Sequence, residues 1–525
     1  MNAPWLSVIL GLPMAGAVLL LVVPRRAVGL VKAWTVLIAV IEAGLVAVVL
    51  ANFTGTASSS GPLPMHFQEQ YRWIDFSGFR ASYHVGIDGI SAWILALNAG
   101  VFLLGALVVS ARSTERLKFY CGLLLLTETA TTGVLLSLDL LLFYVFWEAM
   151  LIPLYLLLSN FGGENRGRAT LKFIIYTVFG SLLMLLAIIY LYVQSGQGSF
   201  DIQTLLLHPG PGHDRVTVPL LGLQTLTPHQ IAFLAFAIAF AIKLPLVPFH
   251  TWLPALYEAC PPAALVFFAG VVSKLGAFGF IRYTLTLFSG PVHDFQPLLL
   301  ALAVLGIIYG ALMALAESDL KRIVAYSSIS HLGFIGLGIF SLNNNGLNGA
   351  LIQIVNHGII ISALFLVVGM IEQRTGTRDR HELAGLEKRM PWLYFFFLII
   401  TLAGLGLPGM NTFVGEFSIM LGAFQSSWVW AVLAGVGVVL ASWYMLRLHQ
   451  GLMHNRGSEP RTENVRDIRT TEGLILAPLV ALMVGLGIYP KPVGTVTAPT
   501  VSTYVSRVSA PTQTTSATTL PGARP

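Results

Sequence analysis

Runs of about twenty apolar residues, nearly free of charge, recur along most of this 525-residue chain. A run of that length crosses a bilayer as a helix, and none of these alternates residue by residue as the strands of a membrane barrel do. Composition agrees: 55% of the residues are hydrophobic and 10% charged, against roughly 25% charged in a soluble domain. The chain therefore reads as an all-α polytopic membrane protein. About fourteen helices are expected, near 3–23, 30–51, 88–110, 118–137, 139–158, 171–193, 230–248, 263–285, 296–316, 321–342, 348–371, 391–425, 430–450 and 472–490. Short loops join them. The Thr-, Ser- and Pro-rich segment from Lys491 reads as a disordered tail. The first helix lacks a small-residue cleavage site and is expected to stay in the membrane.

Orientation follows from where the basic residues fall. With the N-terminus outside, 21 lie in inner loops and 7 in outer ones, Arg282 among the latter, leaving only Lys243 and Lys274 of the 30 within helices. That asymmetry is the positive-inside signal. It places both termini on the outer side of a bacterial-type inner (plasma) membrane, and it accounts for the net charge of +6 without a nucleic-acid partner. The two cysteines, Cys121 and Cys260, are too few for a disulfide framework, a zinc site or an iron–sulfur cluster. No cofactor and no metal are expected on this chain.

Two of the expected helices are interrupted alike. The seventh carries Pro245 and Pro248 just after Lys243, and the twelfth carries Pro408 and Gly409 shortly before Glu416. Proline withholds a backbone donor and clashes with the preceding turn, so each helix should break near mid-membrane. One break is an ordinary kink. Two, five helices apart and each beside an ionisable residue, point to an inverted-repeat transporter with its ion site at the breaks. Helices 4–8 and 9–13 are the two halves. The chain then divides into residues 1–117 (helices 1–3 with an outer loop), 118–285, 286–450, 451–490 (an inner loop and helix 14) and the tail 491–525.

Six titratable residues stand at membrane depth: Glu148, Lys243, Lys274, His331, His357 and Glu416. A charge at the bilayer centre costs at least roughly 2.5–3.5 kcal/mol on insertion scales, so such groups must face one another, backbone or water. Singly, each has a bland reading: Glu148 and Lys243 as a structural ion pair, each histidine as a packing residue. Together they form a chain that can hand a proton along. Lysine suits a switch, because burial favours the neutral amine and a nearby carboxylate the charged one. Glu128, among Thr127, Thr129 and Thr131, is either a branch of that path or a carboxyl satisfied by hydroxyls. Asp139 reads as a helix cap, Asp88 as the start of helix 3, and Glu317 with Asp319 as the turn before helix 10. No phosphate loop, metal-ligand spacing or nucleophile–base arrangement is present.

The stretches LDLLLFYVFWEAMLIPLYLLL, KLPLVPFHTWLP, AGVVSKLGAFGFIRY, ESDLKRIVAYSSISHLGFI, NHGIIISALFLVVG and LPGMNTFVGEF resemble the antiporter-like subunits of respiratory complex I, over about residues 80–450. The M branch of that family fits best, since it has a glutamate on the broken twelfth helix where the L and N branches have lysine. The resemblance implies a proton-translocating subunit of an NADH-quinone oxidoreductase. Glu148 and Lys243 would be the coupled pair of the first half-channel, Lys274, His331 and His357 a central connection, and Glu416 the terminal group at the exit. It also implies FMN, iron–sulfur clusters and quinone on other subunits, with the L and N chains and membrane lipids as neighbours. Subunits of Mrp-type sodium/proton antiporters and of membrane-bound hydrogenases share the fold and are the alternatives, though Mrp subunits usually place lysine at the position of Glu416. One stretch departs from the family: after HTWLP, Ala255 replaces an aspartate, Tyr257 a histidine and Leu265 a serine.

Overall fold

The computed structural model describes residues 4–53, 61–111, 116–209, 226–454 and 465–509. Residues 1–3, 54–60, 112–115, 210–225, 455–464 and 510–525, the last part of the expected tail, lie outside the described residues. Eleven described helices are long and apolar enough to cross a membrane: Val28–Ala51, Gly89–Ala111, Leu117–Leu136, Leu140–Phe161, Arg166–Ser195, Pro262–Leu287, Ser289–Ala316, Leu320–Phe340, Asn344–Thr375, Trp428–Met453 and Thr470–Ile488. Three shorter apolar helices, Trp5–Leu20, Pro228–Lys243 and Pro391–Gly404, stand where the first, seventh and twelfth spans are expected. The latter two are short because each stops at its break, and the chain resumes as Trp252–Ala259 and Asn411–Ser426.

The two breaks share one backbone pattern. In the first, Leu244 N–H donates to Phe240 O, Leu246 N–H reaches five residues back to Ala241 O, and Phe249 N–H closes on Leu246 O. In the second, Leu405, Leu407 and Met410 donate to Thr401, Leu402 and Leu407 in the same order. Where the first break has Pro245 and Pro248, the second has Gly406 and Gly409, both at positive φ (75° and 93°). Two different residue types thus end two helices in one way: proline by lacking the donor, glycine by entering the left-handed region.

A second correspondence sits at the start of the helices bearing Glu148 and His331. Asp139 accepts from Leu141 and Leu142 N–H, and Asp319 from Arg322 N–H, as N-caps do. Beside each cap the chain pairs with the segment two connections later: Leu140 with Phe200 and Ile202 with Leu138 in one case, Leu320 with Arg378 and Arg380 with Ser318 in the other.

Three features depart from the sequence reading. Residues His66–Phe76 and Phe79–Ile87 form an antiparallel hairpin rather than a simple loop. Aromatic and β-branched residues favour strands, and Ser77–Gly78, both at positive φ, make the two-residue turn. The hairpin is tied down by Glu69, which accepts from Leu6 N–H at 2.7 Å, and by His84, 2.5 Å from Asp201. The segment from Lys491 is a helix, Lys491–Ser509, and not a disordered tail. Its apolar face (Val493, Val501, Tyr504, Val508) is buried on the Gly89–Ala111 and Asn344–Thr375 helices. Tertiary contact overrides composition there. Arg282, assigned to an outer loop, is fully buried and donates to Asp88 Oδ1 at 2.8 Å.

Pro262–Leu287, Leu320–Phe340 and Asn344–Thr375 are enclosed on all sides and form the axis of the bundle. Val28–Ala51, Arg166–Ser195 and Trp428–Met453 present apolar residues such as Leu37, Phe179 and Trp443 outward, as expected of lateral faces against lipid or protein.

Candidate functional site

The axial helix Pro262–Leu287 carries two wide π-turns, Phe268–Val272 and Phe280–Thr284, with Lys274 between them. In the first turn Ser273 N–H reaches back to Phe268 O rather than to Ala269 O. The freed Ala269 carbonyl then accepts from Lys274 Nζ, which also lies 3.3 Å from Ser273 Oγ. A fully buried amino group is thus held by the irregularity of its own helix, a known use of π-turns at functional sites.

From there the polar groups run along the axis. His357 lies within electrostatic reach of Lys274. Its Nε2 is 3.3 Å from Ser328 Oγ, and its Nδ1 has no partner among the described residues. The rings of His357 and His331 are 5.6 Å apart. His331 Nδ1 lies 2.8 Å from Glu416 Oε1, and its Nε2 3.2 Å from the Tyr444 hydroxyl. Gln353 Nε2 donates to the same Glu416 oxygen at 3.4 Å. Lys274, His357, His331 and Glu416 are each at most 5% exposed. The sequence-derived members on helices 8, 10, 11 and 12 therefore meet in one buried file.

The broken twelfth helix delivers Glu416 to this file. The left-handed turn at Gly406 favours glycine, and a Cβ there would stand 3.2 Å from Glu416 Oε2, so the carboxylate would have to yield by a few tenths of an ångström. Around the break Thr401 Oγ1, Thr412 Oγ1 and both side-chain polar atoms of Asn411 are buried without partners among the described residues, while Asn356 Nδ2 donates to Asn411 O at 2.7 Å. Such a lining suits ordered water. Gly406→Ala is expected to cost about 1–2 kcal/mol from the left-handed backbone alone and to displace the Glu416 carboxylate. A lower thermal midpoint and altered proton pumping would be measured together.

Glu148 and Lys243 form a second, looser group. Among the described residues Lys243 Nζ makes no hydrogen bond, and it stands 5.2 Å from the Trp147 ring centroid and 5.6 Å from that of Phe173. Glu148 Oε1 likewise has no partner among them, while its carboxyl group faces Ser181. The two interact electrostatically without the contact a structural ion pair would make. Both sit at helix irregularities: Lys243 ends its helix, and Glu148 precedes the turn at Met150, where Pro153 cannot donate to Ala149.

On the side opposite the hairpin, a polar cavity of about 710 Å³ is lined by Glu164, Glu258, Cys260, Asp319, Glu372 and Arg378 among others. Glu258 pairs there with Arg322 at 3.3 Å. The altered stretch borders it: Tyr257 and Leu265 are buried, and the Tyr257 hydroxyl faces Ser273 beside Lys274.

Sequence reasoning missed Tyr444 and Gln353, which carry no charge and appear only through their contacts with His331 and Glu416. It also missed Glu42, fully buried against Glu128. A lone acid in the apolar run VLIAVIEAGLVAVVL is the signal that singled out Glu148, and it was there to be read.

The NADH:quinone oxidoreductase/Mrp antiporter transmembrane family matches residues 137–441. The chain is 35% identical to NADH-quinone oxidoreductase subunit M of Mycobacterium tuberculosis over 97% of this chain and 95% of that protein. Among solved structures it resembles a chain of respiratory complex I from Thermus thermophilus with bound NADH (TM-score 0.83, 32% identity, covering 96% of this chain and 100% of that one). A chain of the Mrp complex from Dietzia sp. DQ12-45-1b shares the fold at TM-score 0.80 and 20% identity, covering 97% and 100%.

Proposed function

This chain belongs to the NADH:quinone oxidoreductase/Mrp antiporter transmembrane family, and on that premise we propose that it is the M-type, proton-translocating membrane-arm subunit of an NADH-quinone oxidoreductase. The observation that carries the reading is the buried file Lys274–His357–His331–Glu416, completed by Tyr444. Each neighbour in it can give or accept a proton, directly or through one water, and the surrounding apolar helices exclude bulk solvent.

In this reading Glu148 and Lys243 are the first half-channel. The gap between them is the working feature: a carboxylate moving toward Lys243 holds its proton, and one moving away releases it. Protons are taken up through the polar cavity beside Glu258 and leave past Glu416. The matched breaks and matched caps support two inverted halves, helices 4–8 and 9–13, each with its own break. FMN, iron–sulfur clusters and quinone belong to other subunits, L- and N-type chains flank the lateral faces, and both termini lie outside a bacterial inner membrane.

The test is NADH-driven proton pumping in membrane vesicles carrying Glu148→Gln, with electron transfer assayed in parallel. Pumping is expected to fall at least tenfold in a complex that still assembles. Undiminished pumping and oxidation would transfer the chain to a sodium/proton exchanger or a hydrogenase.

A further inference from the structure

Outside the file just described, three helices bring a second set of buried acids together. Glu42 lies midway along Val28–Ala51, Glu128 on Leu117–Leu136 and Asn98 on Gly89–Ala111, and all three are 0% exposed. Asn98 Nδ2 donates to Glu128 Oε1 at 2.7 Å and to Thr132 Oγ1 at 3.0 Å. Glu42 faces Glu128 and Thr132. Yet among the described residues both Glu42 oxygens, Glu128 Oε2 and Asn98 Oδ1 lack a hydrogen bond of regular geometry, although the Thr132 hydroxyl faces both carboxyl groups. The threonines expected to solvate Glu128 do not do so: Thr127, Thr129 and Thr131 all donate to backbone carbonyls of their own helix.

The site therefore holds four such buried acceptors, three of them on two carboxyl groups that face each other. Two ionised carboxylates so placed repel each other, and two ionised groups in an apolar bundle are not sustained. One proton between them removes the repulsion, supplies the missing donor and leaves a single charge for Asn98 to meet, as in other carboxyl dyads. We propose that Glu42 and Glu128 form a proton-binding site in which one exchangeable proton is shared by the two carboxyl groups.

Further polar groups lie between the dyad and the helix end opposite the hairpin. Thr35 is on the same helix face as Glu42, two turns nearer that end, and is 0% exposed. Cys121 bonds to Thr35 and lies within electrostatic reach of Lys32. Toward the axis Leu97, the neighbour of Asn98, packs on Gly358, the neighbour of His357. The dyad thus borders, through the Asn98 helix, the helix that carries His357. Its use in transport rests on the proposed function; its binding of a proton does not.

Glu42→Gln and Glu128→Gln keep the shape of the side chain and place an amide donor where the proton was, so the bundle is retained. In the assembled complex in membranes, the infrared spectrum of the unsubstituted protein minus that of each variant is expected to contain one protonated-carboxyl band. It should be the same band for both variants and should shift in deuterated buffer. Two distinct bands would mean two independent neutral acids and would overturn the shared proton. No band, or one that deuteration leaves in place, would overturn the exchangeable site. Pumping in the same vesicles is expected to fall at least threefold in both variants. If Glu148→Gln stops pumping while both dyad variants pump normally, the dyad has no part in transport and the proposed function stands. If Glu148→Gln itself pumps normally, the proposed function fails, and the infrared band alone still decides the dyad.

Discussion

Lys243→Ala is expected to reduce NADH-driven proton pumping at least tenfold while leaving the complex assembled. The amine is 1% exposed, donates no hydrogen bond among the described residues, and is flanked by Trp147 and Phe173. No structural bond is lost with it, and the vacated space is at the end of a helix already closed by the Trp252 Nε1 bond to Ile242 O at 2.8 Å. Folding should therefore tolerate the change. What disappears is a group able to switch between charged and neutral next to Glu148. Lys243→Arg separates the two roles of the side chain. Arginine keeps a cation over the same rings but does not release its proton, so it too should block pumping. Pumping restored by arginine would show that Lys243 acts only as a fixed charge.

Asp88→Ala is expected to be the most destabilising single substitution, at about 3–5 kcal/mol, the range for removing one partner of a buried ion pair. Asp88 and Arg282 are both 0% exposed and 2.8 Å apart. The same carboxylate accepts from Ile90 and Ser91 N–H at the start of its helix and from the Tyr504 hydroxyl at 2.9 Å. One residue thus caps the third expected helix, neutralises a guanidinium and anchors the C-terminal helix. Loss of the carboxylate leaves Arg282 as an unpaired buried charge. A reduced thermal midpoint and loss of assembled complex on native gels would be the readout. Asp88→Ala/Arg282→Met should recover part of the loss by removing the orphaned charge. Equal loss in the double variant would place the effect on the cap and Tyr504 instead.

Most of the architecture was legible because a bilayer restricts what a chain can do. Backbone groups in lipid must be satisfied within a segment, so apolar length nearly determines helix position. The two breaks were legible because Pro245, Pro248 and Pro408 lie inside apolar runs. The hairpin and the C-terminal helix were not, because both lie outside the spans. Their polar, turn-rich sequences acquire structure only from contacts with Leu6, Asp201, Asp88 and Gly89.

The candidate site divides the same way. A charge in an apolar run is visible without a structure, so Glu148, Lys243, Lys274, His331, His357 and Glu416 could be named from the sequence, and Glu42 could have been. The bond between His331 and Glu416, the separation of Glu148 from Lys243, and the meeting of Glu42 with Glu128 could not. The sequence by itself determined which buried groups can carry a proton, since that depends on side-chain chemistry and depth alone. Only the tertiary structure decided which of them are neighbours, because helices far apart in the chain converge through packing that no local pattern encodes.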